Sequence, residues 1–202
     1  MYIFKYYCFN IILLLSLYIH PCHLISANLH CFKNQYKVKK HFSHSLTMKV
    51  YGIDISDNRA LTNIDLYRYA QELKIGNFRG VFMRNTLPKI PHQTECGIVN
   101  FNTSEQAGTH WVCYFKDGMN KRIYFDSFGQ VTLDEIQKYL KTKKEYESGK
   151  AVIQRNTDIV QHVNTHVCGH LCLFVLTALT CEHLSFQEVL NQLNDGYTQG
   201  DW

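Results

Sequence analysis

Proline is scarce in this 202-residue chain, with three in all, and glycine is limited to eleven. Those numbers exclude a collagen-like chain or a Pro/Gly-rich disordered one. Charged residues make up 19% of the chain against 46% hydrophobic, too few for a coiled coil or a solvated tail. Acidic residues are absent from positions 1–47, where Lys5, Lys33, Lys37, Lys39 and Lys40 stand unopposed. That leaves 16 basic and 17 acidic residues in 48–202, so the formal net charge of +4 resides in the first stretch. A generally basic, nucleic-acid-binding body is not indicated. The cysteines after Met48 (Cys96, Cys113, Cys168, Cys172 and Cys181) lack the even count and regular spacing of a disulfide framework and suit reduced thiols. Repeats, low-complexity tracts and linkers are also missing from 48–202, which reads as a single domain.

Residues 1–47 form a separate apolar and basic extension. Lys5, an apolar run over Ile11–Ile19 and the small residues ending at Ala27 have the pattern of a secretory signal. The run is interrupted by Asn10 and Ser16 and is short for a membrane span of about 20 residues. The competing readings are a gene-model extension upstream of a true start at Met48, and a transit peptide. The odd, irregular cysteines favour the extension. The expected location is then cytoplasm or nucleus, and secretory or membrane-associated if 1–27 is a real signal.

Aromatic residues are abundant at 13%, and periodicity places elements along the body. Thr62 with Asp65 is a capping box, and Leu66, Tyr69, Ala70 and Leu73 follow at helical spacing. Short strands are expected at Gly80–Met83 and Gly97–Phe101. Thr109–Lys116 and Arg122–Phe125 read as a hairpin joined through Asp117-Gly118. Thr132 with Glu135 is expected to cap a helix reaching Leu140, Ala151–Gln154 is a strand, Cys168–Leu179 a mostly apolar helix, and Ser185 caps a last one. The class is α+β with a central mixed or antiparallel sheet.

Cys168-Gly169 stands where a polar loop enters the most apolar helix. The positive end of a helix dipole favours a thiolate, and a glycine beside it leaves room for a substrate backbone. A thiolate nucleophile calls for an imidazole to hold it and to protonate the leaving amine. His110, opening a β-run beside Trp111, suits that role better than His170, which lies about 200° around the helix from Cys168. Asp126 ends the next strand, where pairing brings it beside His110 to fix the ring tautomer. Gln161, seven residues before Cys168, supplies an amide N–H that could reach an oxyanion together with the Cys168 backbone.

His110-Trp111, Tyr124-Phe125-Asp126-Ser127-Phe128-Gly129, and Gln161 followed by Cys168-Gly169-His170-Leu171-Cys172 together resemble the adenovirus-type maturation proteases (adenains). The residues also resemble the versions carried by Maverick/Polinton-type DNA transposons. The SUMO-deconjugating, ubiquitin-like proteases share the order His, Asp, Gln, Cys. The resemblance implies a papain-like cysteine protease architecture, a mixed sheet packed on helices that include the one bearing the nucleophile. It implies His110 as base, Asp126 as its orienter, Gln161 as oxyanion donor, Cys168 as nucleophile, and Trp111 and Gly169 against substrate. It also implies cleavage after Gly in a protein or polyprotein; the chain is read as a monomer, and no metal or small-molecule cofactor is expected. An activating peptide or DNA is implied by the same resemblance. Adenoviral enzymes carry Glu at the place of Asp126, and deconjugating enzymes carry Asp. The alternatives are therefore an isopeptidase for a ubiquitin-like modifier and an inactive relic of a mobile element.

Each residue also has a plainer role. Cys168 and His110 taken singly are more often core residues than catalytic ones, and Cys172 belongs to the apolar stripe Leu171, Cys172, Val175, Leu179. Trp111, Cys113 and Phe115 on one face of their strand, with Val112 and Tyr114 on the other, read as core. His162, His166, Cys168, His170 and Cys172 have residue types that suit zinc, but a helix turns them to opposite faces, so no metal is expected. Lys138, Lys141, Lys143 and Lys144 read as a solvated helix face.

Overall fold

A computed structural model describes residues 49–50, 53–54, 59–149 and 152–199. The readings of residues 1–47, including the signal-like segment 1–27, lie outside the described residues, as does Ala151.

After a two-stranded hairpin of β1 (Lys49–Val50) and β2 (Ile53–Asp54), helix α1 spans Asn63–Glu72. Its start is the capping box legible in the sequence. Thr62 Oγ1 accepts from the Asp65 backbone N–H, and the Asp65 carboxylate accepts from the Thr62 backbone N–H, which satisfies two otherwise orphan donors. Strands β3 (Phe78–Met83), β4 (Thr94–Asn100), β5 (Trp111–Asp117) and β6 (Lys121–Phe125) follow, then α2 (Asp134–Leu140), α3 (Lys143–Ser148) and β7 (Gln154–Arg155). The chain continues into α4 (Cys168–Thr180) and α5 (Phe186–Gln199).

The strands form one mixed sheet in the order β3-β4-β5-β6-β7, parallel at both outer pairs and antiparallel between β4, β5 and β6. Both faces of β5 are buried. Trp111, Cys113 and Phe115 join Leu171, Cys172 and Val175 of α4 in the larger core, and Val112 and Tyr114 join Ile136, Tyr139 and Leu140 of α2 in the smaller one. The sheet therefore lies between two helical layers, an α+β arrangement. The connection before β4 is pinned by buried Glu95, which accepts from the Tyr114 hydroxyl at 2.8 Å, the Tyr139 hydroxyl at 2.5 Å and the His92 backbone N–H at 2.6 Å.

Three local expectations are corrected. The box at Thr132 does not form, because Leu133 takes the N-cap position with its side chain buried beside Ile136, and no side chain caps α2. The strand expected at 151–154 is displaced to Gln154–Arg155, where β6 supplies a parallel partner. Helix α3 was not foreseen. It has its own capping box at Thr142 and Glu145, and Glu145 also holds the buried Arg122 of β6 at 3.1 Å. Of the lysines expected on a solvated face, Lys138 pairs with Asp134 at 2.6 Å and Lys143 lies 3.9 Å from Glu147. No helix among the described residues is long and apolar enough to cross a membrane.

Candidate active site

The ends of β4, β5 and β6, the start of α1 and the start of α4 converge on a cleft of ≈ 820 Å³. His110, Trp111, Gln161 and Cys168 all line it, among apolar side chains that include Leu61, Phe82 and Phe128. Asp126, fully buried, lies directly behind His110.

His110 immediately precedes β5, and its carbonyl accepts from Phe101 N–H at 2.8 Å, which extends the β4–β5 ladder by one residue. Asp126 immediately follows β6. The hairpin thus delivers both side chains just past the last paired residues, and His110 Nε2 donates to Asp126 Oδ1 across 2.9 Å. The same oxygen accepts from Phe128 N–H at 2.8 Å, a local turn that aims the carboxylate. With Nε2 committed to Asp126, the other ring nitrogen is left for Cys168, which lines the same cleft. Burial pulls the imidazole pKa down, but the bond to Asp126, the nearby Cys168 and their charges outweigh it, raising it from 6.5 to about 9. The ring can therefore hold a proton at neutral pH.

Cys168 is the first residue of α4, with Val167 at the N-cap and no side chain capping the end. The first-turn N–H groups and the positive end of a thirteen-residue helix consequently act at Cys168. Its near neighbour Cys172 has a different environment. It is fully buried, its thiol pKa is pushed well up chiefly by burial, and its Sγ donates to the Trp111 carbonyl at 3.5 Å.

A family model described as adenovirus endoprotease matches residues 78–196, more than half of the chain. The chain belongs to the adenovirus endoprotease family. It is accordingly a member of a cysteine peptidase family with protein substrates. Among solved structures, it is similar to a crystal structure of an ASFV protease, at 17% identity and TM-score 0.48 over 70% of this chain and 67% of that one. It is also similar to the SUMO protease Ulp1 with its catalytic cysteine oxidised to a sulfinic acid, at 12% identity and TM-score 0.41 over 79% and 90%. A comparison with curated proteins finds no match.

Within this adenovirus-endoprotease fold, Trp111 is held by donation from its indole N–H to the Leu61 carbonyl at 2.8 Å. Gly169 stands in the helix packing rather than in the cleft wall. It does not line the cleft, and a Cβ there would lie 3.1 Å from Leu66 Cδ2 and 3.4 Å from both Leu61 Cβ and Trp111 Cδ1. Its missing side chain lets α4 pack closely on α1. His162 stacks on Tyr197 with ring centroids 4.5 Å apart, whereas His170 is buried in α4, and no group of three or more metal-ligating side chains converges among the described residues.

Two polar residues around the site were given no role by the sequence pattern. Asn156 is nearly fully buried and brackets the Asp126 backbone, accepting from its N–H at 3.1 Å and donating to its carbonyl at 2.5 Å. Ser127, fully buried, donates to Gln161 Oε1 at 2.7 Å. Each acts on a partner at least 30 residues away, a separation that local pattern does not report.

Proposed function

We propose that the chain is a thiol endopeptidase that cuts after glycine-containing sequences in a polyprotein or structural precursor, as a virus-like or mobile-element maturation protease would. The observation that carries this reading is the line from buried Asp126 through His110, at 2.9 Å, toward Cys168 at the uncapped start of α4. His110 takes the Cys168 proton and Sγ attacks the peptide carbonyl. Gln161 Nε2–H and the Cys168 backbone N–H then receive the developing oxyanion. His110 returns the proton to the leaving amine, and water hydrolyses the thioester with His110 again as base. Asp126 holds the ring tautomer and the imidazolium.

The test is turnover of short peptides carrying a Gly-Gly sequence. The native chain should cleave after the second Gly, and Cys168→Ala should abolish turnover. Replacing the Gly before the cut by Ala should lower kcat/KM by about tenfold or more, the discrimination one methyl commonly produces in a tight site. Cleavage after bulky or basic residues would contradict the reading. Activity restricted to a folded ubiquitin-like modifier would replace the precursor protease by a deconjugating enzyme, which draws binding energy from surfaces remote from the bond.

A further inference from the structure

The proposed oxyanion donor depends on which end of the Gln161 amide faces which neighbour. A primary amide is nearly symmetric in shape, and flipped by 180° it would present an oxygen where a hydrogen-bond donor is needed. Two neighbours settle the orientation. The Thr165 carbonyl can only accept, so the Gln161 atom 2.9 Å from it is Nε2. The Ser127 hydroxyl stands 2.7 Å from the opposite end and donates to Oε1. Gln161 is 2% exposed and Ser127 fully buried, so water does not compete for either contact. Ser127 is also tied to the Gln161 segment through its backbone, since its carbonyl accepts from Val160 N–H at 2.9 Å. The preceding residue is Asp126, locked on both backbone polar groups by Asn156.

We infer that Ser127 is a positioning residue that fixes the Gln161 amide with its N–H toward the cleft, so that the dipeptide Asp126-Ser127 orients the base with one side chain and the oxyanion donor with the next. This role rests on the proposed peptidase reaction and deepens it. Without the hydroxyl, only the Thr165 carbonyl restrains the amide, and the donor is misplaced for part of the time. The loss should appear only when an oxyanion forms.

That property separates positioning from a merely structural role. A peptide aldehyde ending in Gly adds Cys168 across its carbonyl and develops the oxyanion, whereas iodoacetamide alkylates Cys168 by displacement at carbon and develops none. In the full chain, Ser127→Ala should weaken aldehyde binding by about tenfold, part of what deleting a whole oxyanion donor costs. The alkylation rate of Cys168 should stay within about twofold. Ser127→Thr, which retains the hydroxyl, should bind the aldehyde better than Ser127→Ala. In a Gln161→Ala background, adding Ser127→Ala should cause no further loss. Unchanged aldehyde affinity in Ser127→Ala, a parallel fall in alkylation, or losses that add in the double variant would each overturn the inference. A native chain that does not bind the aldehyde would remove the peptidase reading and this role together. A native chain that binds it as well as Ser127→Ala does would remove the role of Ser127 alone.

Discussion

His110 is pulled in two directions, and the outcome sets its protonation. Burial disfavours the imidazolium, while Asp126 at 2.9 Å and the contact with Cys168 favour it, and the folded pKa is raised from 6.5 to about 9. A group whose folded pKa is raised contributes stability that is fully present below its unfolded pKa. That contribution is lost as pH rises from 6.5 toward 9. The expected size is on the order of 1–3 kcal/mol, discounted for the residual exposure of the ring. Chemical denaturation at pH 6 and pH 9 should therefore show a larger fall for the native chain than for His110→Gln, and equal falls in both would contradict the pairing. His110, Asp126 and Cys168 stand out as candidates in the sequence because each lies at a strand end or a helix start, and Gln161 by its spacing before Cys168. Ser127 and Asn156 do not, because a hydroxyl and an amide gain meaning only from the partner that tertiary structure brings.

Helix α4 shows the same division at the level of an element. Its extent and its apolar stripe follow from composition and spacing, and Cys172 is packing, as expected. A glycine beside a nucleophile serves substrate approach and helix packing equally well in sequence, and the structure adds the packing neighbours. Those neighbours are Leu66, Leu61 and Trp111. Gly169→Ala should therefore lower stability by about 1–3 kcal/mol through overpacking and reduce kcat, with KM for a Gly-Gly peptide little changed. A raised KM with unaltered thermal stability would put Gly169 back against substrate. Among the caps, Thr62, Thr142 and Ser185 form boxes as their spacing allows, while Thr132 does not, since burial of Leu133 moves the helix start by one residue. Local capping chemistry fixes a helix start only where packing does not demand another.

At the scale of the molecule, the antiparallel centre of the sheet was readable from the Asp117-Gly118 turn and the alternating core residues of β5. The parallel outer pairs were not, because β7 is two exposed residues with no pattern of its own. This architecture distributes the described thiols unequally. Cys96, Cys113, Cys168 and Cys172 are buried and Cys181 is exposed, yet among them only Cys168 lines the cleft and meets His110. Exposure alone would make Cys181 the first of these to react, and the proposed pairing with His110 would make it Cys168. An ordinary thiol, with a pKa of about 8.5, is mostly protonated at pH 6 and alkylates slowly. The decisive measurement is therefore iodoacetamide labelling of the full chain at pH 6, followed by intact mass and peptide mapping. The proposed catalytic pairing predicts that Cys168 is modified ahead of Cys96, Cys113, Cys172 and Cys181, with His110→Ala slowing it by about tenfold or more while the fold persists. Labelling that begins at Cys181, or a Cys168 rate that His110→Ala leaves unchanged, would contradict the central claim that these residues form a peptidase active site.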